Sequence, residues 1–534
     1  MKTTEMIMKR IEQFVYLLCF IAIGFCCVCS LIFHGSTDFE TYLEQDSSYV
    51  INGRVHYVGL LLFLIGIMLL LKVTKNLSRR TTVLSVIGSM MVTALLSGWW
   101  IANNTYLPQW DQRQVWDGIQ NFVHGTYGWV DHWYYKIFTF QMGIVVLFFL
   151  PIRFTGICSV MIFRIVNVIA AVAIDGGMSL LAYKLSRKKS IAVACGWMLS
   201  LFAPLIMYTT FIYGTLISLA LIIGSFILLV DYLEKGHMVR LIGVAVMCAL
   251  ANTIYGGTII ASIAIGIICV LHAVRCMRGR LWKDMRMSIF GVTLLLLFSY
   301  GLQNVTGAFF TYKTGVPRDE ASPASSIVLM GMTSDGELAV CGPGSYDAST
   351  VQLYEDSGES RKVANEEALR QIRIVAGEYA EGKRSITFFI KKLRNEWSDP
   401  WFSAGVMTIY PWLEDQVSPE FHSFCEGPFM RFMQDILSSY LMVIYLLALL
   451  SIFLLFHHKD CGEKAGQRQL LLPIYFLGGF VFYLFWESKP RYSFSFFVFL
   501  VPLALMGAYR LECFLEKKIN KFVNRYLSNL KSVS

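Results

Sequence analysis

Apolar positions along this chain come in long blocks rather than in stripes of helical or strand period. Runs of about 18–25 residues nearly free of charge match the length that crosses about 30 Å of hydrocarbon. They recur at 12–33, 56–72, 82–102, 157–183, 190–209, 212–232, 240–255, 257–274, 286–304, 436–457, 470–487 and 493–512. Such blocks predict membrane-crossing helices, because lipid forces each span to satisfy its own backbone hydrogen bonds.

The connecting segments test that assignment. Basic clusters stand at Lys72, Lys75, Arg79 and Arg80, at Lys184, Arg187, Lys188 and Lys189, and at Lys235 and Arg240. Others stand at Arg275, Arg278, Arg280 and Lys283, at His457 to Arg468, and in the tail "EKKINKFVNR". With about twelve spans these all share one side with both termini, and the positive-inside rule makes that side the cytoplasm. The apolar run "FQMGIVVLFFLPI" at 140–152 then lies in the interface or re-enters, ending near Pro151. Thirteen spans with a compensating hairpin is the alternative. The expected architecture is thus an all-α polytopic membrane protein with about 12–13 transmembrane helices, placed in a cytoplasmic or plasma membrane.

This pattern divides the chain. Residues 1–304 form an N-terminal membrane region with a first external loop at 103–156, and 436–534 form C-terminal spans and a cytoplasmic tail. Between them, 305–435 is polar, mixed in charge and long enough for a small extracytoplasmic domain, α/β or α in class. Its first half is rich in turn residues and reads as irregular or short-stranded. Its second half predicts a helix over "NEEALRQIRIVAGEYAEG", capped by Asn365, and another over "SITFFIKKLRNEW", capped by Ser385 and stopped near Pro400.

Composition sharpens the class. Of 534 residues, 55% are hydrophobic and only 16% charged, against about 25% charged in an average soluble protein. The net charge of +9 belongs to loops beside apolar runs, so it speaks for topology and anionic lipid rather than nucleic acid. The thirteen cysteines lie mostly within apolar runs, where cysteine behaves as a small hydrophobe. Cys341 and Cys425, in 305–435, could form a disulfide. Neither a GxxxxGK[ST] loop nor GxGxxG, HExxH or GxSxG is present, so any reaction here uses a substrate activated elsewhere.

Two external segments carry charge that a connecting turn does not need. In "LPQWDQRQVWDG", Asp111 with Gln114 resembles a capping box, and Arg113 and Asp117 can pair across one turn. Asp111 is then either a helix cap or a carboxylate free for other work. In "WESKPRYS", Glu487, Lys489, Arg491 and Tyr492 sit between two spans. That turn is either a snorkelling cluster or a phosphate site, Arg491 supplying a fork and Lys489 a point charge. A carboxylate can take a proton from an attacking hydroxyl, and cations can stabilise a departing phosphate. Together they suit transfer of a sugar from a lipid phosphate. A gap of about 10–15 Å between the Asp111 and Arg491 groups would hold a sugar phosphate, each end at about 3 Å. His132, Gln141 and Tyr213 are weaker substrate-contact candidates. Arg164 and Asp175 lie within an apolar run and must face protein or water, at a cost of about 2.5–3.5 kcal/mol each on insertion scales.

The segments "PQWDQRQVWDG", "VDHWYYKIFTFQMG", "FRIVNVIAAVAI", "APLIMYTTFIYG", "EWSDPWF" and "ESKPRYSF" resemble elements of the GT-C superfamily of membrane glycosyltransferases. The bacterial branch similar to protein O-mannosyltransferases and aminoarabinose transferases is the nearest likeness. The resemblance implies that Asp111 is the catalytic base of an inverting transfer. The donor would be a polyprenyl-phosphate sugar and the acceptor an envelope glycan, lipid or protein outside the cytoplasm. Some relatives bind a divalent metal near their acidic loops. Thr215 stands where a second acid often follows the "IYG" turn, so no metal is assigned. A lipid-linked-sugar flippase or transporter, an envelope polysaccharide polymerase or ligase, and a non-catalytic scaffold are the competing readings.

Overall fold

The structure is a computed structural model, and it describes residues 2–42, 48–318, 320–335, 342–457 and 463–531. Helix α1 (Lys2–Ile32) is followed by a short antiparallel hairpin, β1 (Phe33–Ser36) with β2 (Ser48–Ile51), in which Phe33 pairs with Ile51. Helices α2 (Arg54–Thr74) and α3 (Arg79–Asn103) lead to three shorter ones, α4 (Asp111–His124), α5 (His132–Ile137) and α6 (Met142–Thr155). Next come α7 (Val160–Ser186), α8 (Lys189–Ser200), α9 (Ala203–Met207), α10 (Thr215–Lys235), α11 (Met238–Ile254), α12 (Ile259–Arg278) and α13 (Trp282–Thr314). A run of smaller helices follows, α14 (Ala324–Thr333), α15 (Ser349–Asp356), α16 (Arg361–Ala380), α17 (Thr387–Trp397), α18 (Ala404–Thr408) and α19 (Pro419–Glu426). Helices α20 (Pro428–His457), α21 (Glu463–Phe485) and α22 (Pro490–Lys531) complete the chain.

The protein is therefore an all-α, multi-pass membrane protein. Among the described residues, ten helices are long and apolar enough to cross a bilayer, and an eleventh crossing results if α8 and the segment Ala203–Thr210, bent by 60°, count as one. The expected count of twelve is not reached on length alone, because α11 has only 17 residues. The apolar run at 140–152 is the 14-residue helix α6, and it does not stop at Pro151. That proline lies inside the helix, which ends at Gly156 in a left-handed turn (φ 70°).

Ion pairs tie one end of the bundle together. Lys75 meets Glu516 at 2.6 Å, Lys184 pairs with Asp231, Arg187 and Arg468 share Glu234, and Arg275 pairs with Glu12. Five of the basic loops and tails thus share one face, although they are far apart in sequence.

The regular elements of segment 305–435 are all helices among the described residues, joined by irregular turns. Its turn-rich first half contains α14 and α15. Helix α16 begins at Arg361, before Asn365, so Asn365 is no cap; it accepts a hydrogen bond from Ser325 at 2.8 Å instead. Ser385 accepts the Thr387 amide at 3.3 Å, but Ile386, not Ser385, is the N-cap of α17. Leu393, Trp397, Trp401 and Phe402 belong to the same apolar core as the long helices, with Trp397 packed on Phe476 and Phe480. Cys341 lies outside the described residues, and Cys425 is buried.

The two intramembrane charges face protein. Arg164 on α7 donates to the carbonyls of Asn104, at 2.6 Å, and Tyr106. Asp175, fully buried, accepts from Thr93 at 2.7 Å and Ser89 at 3.2 Å. Both pin α7 to α3 or its exit, as a buried charge requires.

Candidate functional site

The segment leaving α3 is bound to its surroundings at nearly every residue. Besides the Arg164 clamp, Asn104 donates to the Thr408 carbonyl at 2.7 Å and the Leu107 amide donates to Gln416 Oε1 at 2.9 Å. Trp110 then adopts a left-handed φ of 53°, its ring edge-on to Trp412 at 6.1 Å. Trp110, not Asp111, is the N-cap of α4, and no side chain caps it. The capping-box reading of Asp111 and Gln114 fails for that reason. Asp111 occupies the first helical position, where a negative charge meets the positive end of the helix dipole.

The opposite wall is the turn between α21 and α22. It is held from behind by α17. Lys392 donates to the Trp486 and Gly331 carbonyls, each at 2.6 Å, Ser488 donates to Glu396 Oε2 at 2.9 Å, and Ser493 donates to the Glu396 carbonyl at 2.7 Å. Gly331 is required for this closeness, since a Cβ there would lie 2.4 Å from the Phe485 carbonyl. Pro490 starts α22, so Arg491 stands in its first turn.

The two walls meet. Arg491 Nη2 lies 3.1 Å from Asp111 Oδ2, and the Tyr213 hydroxyl donates to the same oxygen at 3.4 Å. The guanidinium lies over the rings of Tyr213 and Tyr492, at 4.9 and 5.2 Å, which favours a cation electrostatically. Tyr492 in turn donates to Glu487 Oε2 at 3.1 Å, and Lys489 stands 3.8 Å from Glu487. The expected gap of about 10–15 Å is absent, because opposite charges on adjacent walls close into direct contact. Asp111 Oδ1 has no hydrogen-bond partner among the described residues, and the side chain is 33% exposed, whereas Arg491 is only 6% exposed.

Three sequence candidates stay apart from this pair. Asp117 forms its own bridge with Arg113 at 3.6 Å, as the spacing predicts, and burial raises its carboxyl above the usual range despite that cation. His132 is exposed in the first turn of α5, where Asp131 is the cap. Gln141 is buried, and neither end of its amide has a partner among the described residues.

Several site residues escape sequence reasoning. Tyr134 is buried beside the pair. Burial, then the Asp111 charge, pushes its hydroxyl far above the usual range, and the hydroxyl has no partner among the described residues. Tyr346 feels the charges of Asp111, Glu487 and Lys489. Tyr483 stacks on Tyr492 at 5.1 Å. Only the aromatic richness of "HWYYKIF" hinted at any of these. Gln112 is the positioning residue the sequence concealed. Its amide donates to the Met407 carbonyl at 2.8 Å and Tyr410 Oη at 2.7 Å, and it accepts from the Ile212 amide at 2.9 Å. It therefore locks the start of α4 to the segments carrying Tyr213 and Met407. Gln112→Ala strands a buried amide and a buried carbonyl, so we expect a stability loss of about 2–4 kcal/mol, measured by denaturation in detergent. An unchanged midpoint would show that these bonds do not hold the wall.

Among the described residues, no three His, Cys, Asp or Glu side chains gather closely enough to hold a metal ion. No protein-family model matches the chain, and neither does any curated protein. The site thus stands on its own geometry, a carboxylate one-third exposed facing a buried guanidinium inside a tyrosine-rich hollow.

Proposed function

We propose that this protein transfers a sugar from a polyprenyl phosphate to an acceptor outside the cytoplasm. The observation that supports this reading most is the meeting of Asp111 with Arg491 at 3.1 Å, from segments 380 residues apart. An acceptor hydroxyl oxygen attacks the anomeric carbon from the face opposite the phosphate, which inverts that centre. Asp111 takes the hydroxyl proton, and the carbon–oxygen bond to phosphate breaks with its electron pair leaving on polyprenyl phosphate. Arg491, with Lys489 behind it, stabilises the departing charge. Substrate parts the closed ion pair, the phosphate replacing Asp111 on the guanidinium. The tyrosines offer ring faces and hydroxyls to a sugar.

Topology is part of the proposal. If α11 and the bent pair α8–α9 each cross, the chain crosses about twelve times, and the ion-paired basic end faces the cytoplasm. Asp111, at the far end of α3, then opens outward, in the company of 305–435. The GT-C likeness of the motifs is consistent with this arrangement, and an envelope glycan, lipid or protein is the acceptor class.

The test is consumption of donor. Purified protein given a polyprenyl-phosphate sugar and an envelope acceptor extract should release polyprenyl phosphate. Movement of intact donor across a vesicle membrane, with none consumed, would make the protein a flippase. Neither release nor movement with any envelope acceptor would remove the transferase reading.

A further inference from the structure

At the ion-paired end of the bundle, α3, α7 and α8 enclose an open groove of about 590 Å³, within the size range of small-molecule sites. Its walls are mostly apolar, with Val83 and Ile87 from α3 and Leu180 from α7. Its mouth carries Arg79 and Lys189, each the first residue of its helix. Neither helix has an acidic residue in its first turn. Cations here oppose the helix dipoles, which favour negative charge at this end.

At this end of the bundle Lys75, Lys184, Arg187, Arg275 and Arg468 have carboxylate partners. Arg79 and Lys189 have none among the described residues; Lys189 reaches only the Leu77 carbonyl, at 3.3 Å. The groove thus joins two uncompensated cations and two helix N-termini to a hydrocarbon wall. On its floor, Ser179 is buried, its hydroxyl turned toward Gly196 and Ser89 inside the helix packing.

We infer that this groove is a specific site for an anionic phospholipid. The phosphate sits between Arg79 and Lys189 at the N-termini of α3 and α8. One acyl chain lies along Val83, Ile87 and Leu180. The 25 residues of α3 separate this mouth from the Asp111 end by about 37 Å, so the lipid is not the sugar donor at the candidate site.

The full-length protein in detergent, titrated with phosphatidylglycerol and phosphatidylcholine and weighed intact by native mass spectrometry, tests the inference. Phosphatidylglycerol should bind at least tenfold more tightly, and glycerol 3-phosphate, which lacks the chains, should not displace it. Arg79→Gln with Lys189→Gln should lower phosphatidylglycerol affinity at least tenfold, to the phosphatidylcholine level. Arg80→Gln, equally close to the surface but outside the groove, should change it less than twofold. Equal binding of the two lipids would overturn the site. So would an Arg80→Gln loss as large as that of the double variant, which would reveal a diffuse surface field. Displacement by glycerol 3-phosphate would mean that a free phosphate, not a lipid, is bound.

Discussion

Replacing Asp111 with asparagine is expected to slow sugar transfer by about 10²–10⁴-fold, the usual contribution of a general base. The variant keeps the shape of the side chain and an oxygen for the Tyr213 hydroxyl, which lies 3.4 Å away. It removes the charge opposite Arg491, a group that is only 6% exposed. That guanidinium still lies over Tyr213 and Tyr492, so the loss of stability should stay within about 1–3 kcal/mol. The split between kinetic constants is the informative part. Asp111 competes with the donor phosphate for Arg491, so asparagine should leave KM for donor unchanged or lower while kcat falls. A change confined to KM would make Asp111 a binding group rather than a base. Full turnover in a folded D111N protein would end the proposal, leaving the pair as a tie between α4 and α22.

The same residues explain what could be read in advance. Long charge-free blocks announce spans because hydrocarbon penalises charge wherever it lies, and five of the basic clusters are joined by ion pairs at one end of the bundle. Asp111 and Arg491 stood out because each puts charge where a turn needs none. What remained hidden depended on long-range contact. Nothing in "WDQRQ" distinguishes Gln112, with three buried bonds to residues 100 and nearly 300 positions away, from an exposed glutamine. Helix starts were misassigned for a related reason. Asn365 and Asp111 have good capping chemistry, but tertiary contacts extend α16 upstream to Arg361, and Trp110 takes the cap of α4. The 10–15 Å gap failed because spacing in sequence carries no information about whether opposite charges on facing walls collapse together.

The largest expected loss of stability lies behind the site rather than in it. Lys392 and Glu396, one turn apart on α17, are both fully buried. Burial raises the Glu396 carboxyl well above its usual range and lowers Lys392 to about 8. Lys392→Met strands the buried carbonyls of Gly331 and Trp486, at a cost of about 1–3 kcal/mol for each and so about 3–5 kcal/mol together. The turn bearing Arg491 hangs from that Trp486 bond, so transfer should fall together with stability. The effect of pH has a definite sign. In the unfolded chain Lys392 keeps its proton up to about pH 10.4, while in the fold it releases it near 8. Between those values the unfolded chain binds more protons, so this group's contribution to stability grows as pH rises, by about 3 kcal/mol over the window. A neutral amine still has two hydrogens for its two carbonyls. Denaturation midpoints of Lys392 and Lys392→Met proteins, both carrying Glu396→Gln to remove the other titration, should therefore diverge from pH 8 to pH 10. A constant or shrinking difference would mean that Lys392 reaches water and that the turn is held by Ser488 and Ser493 alone.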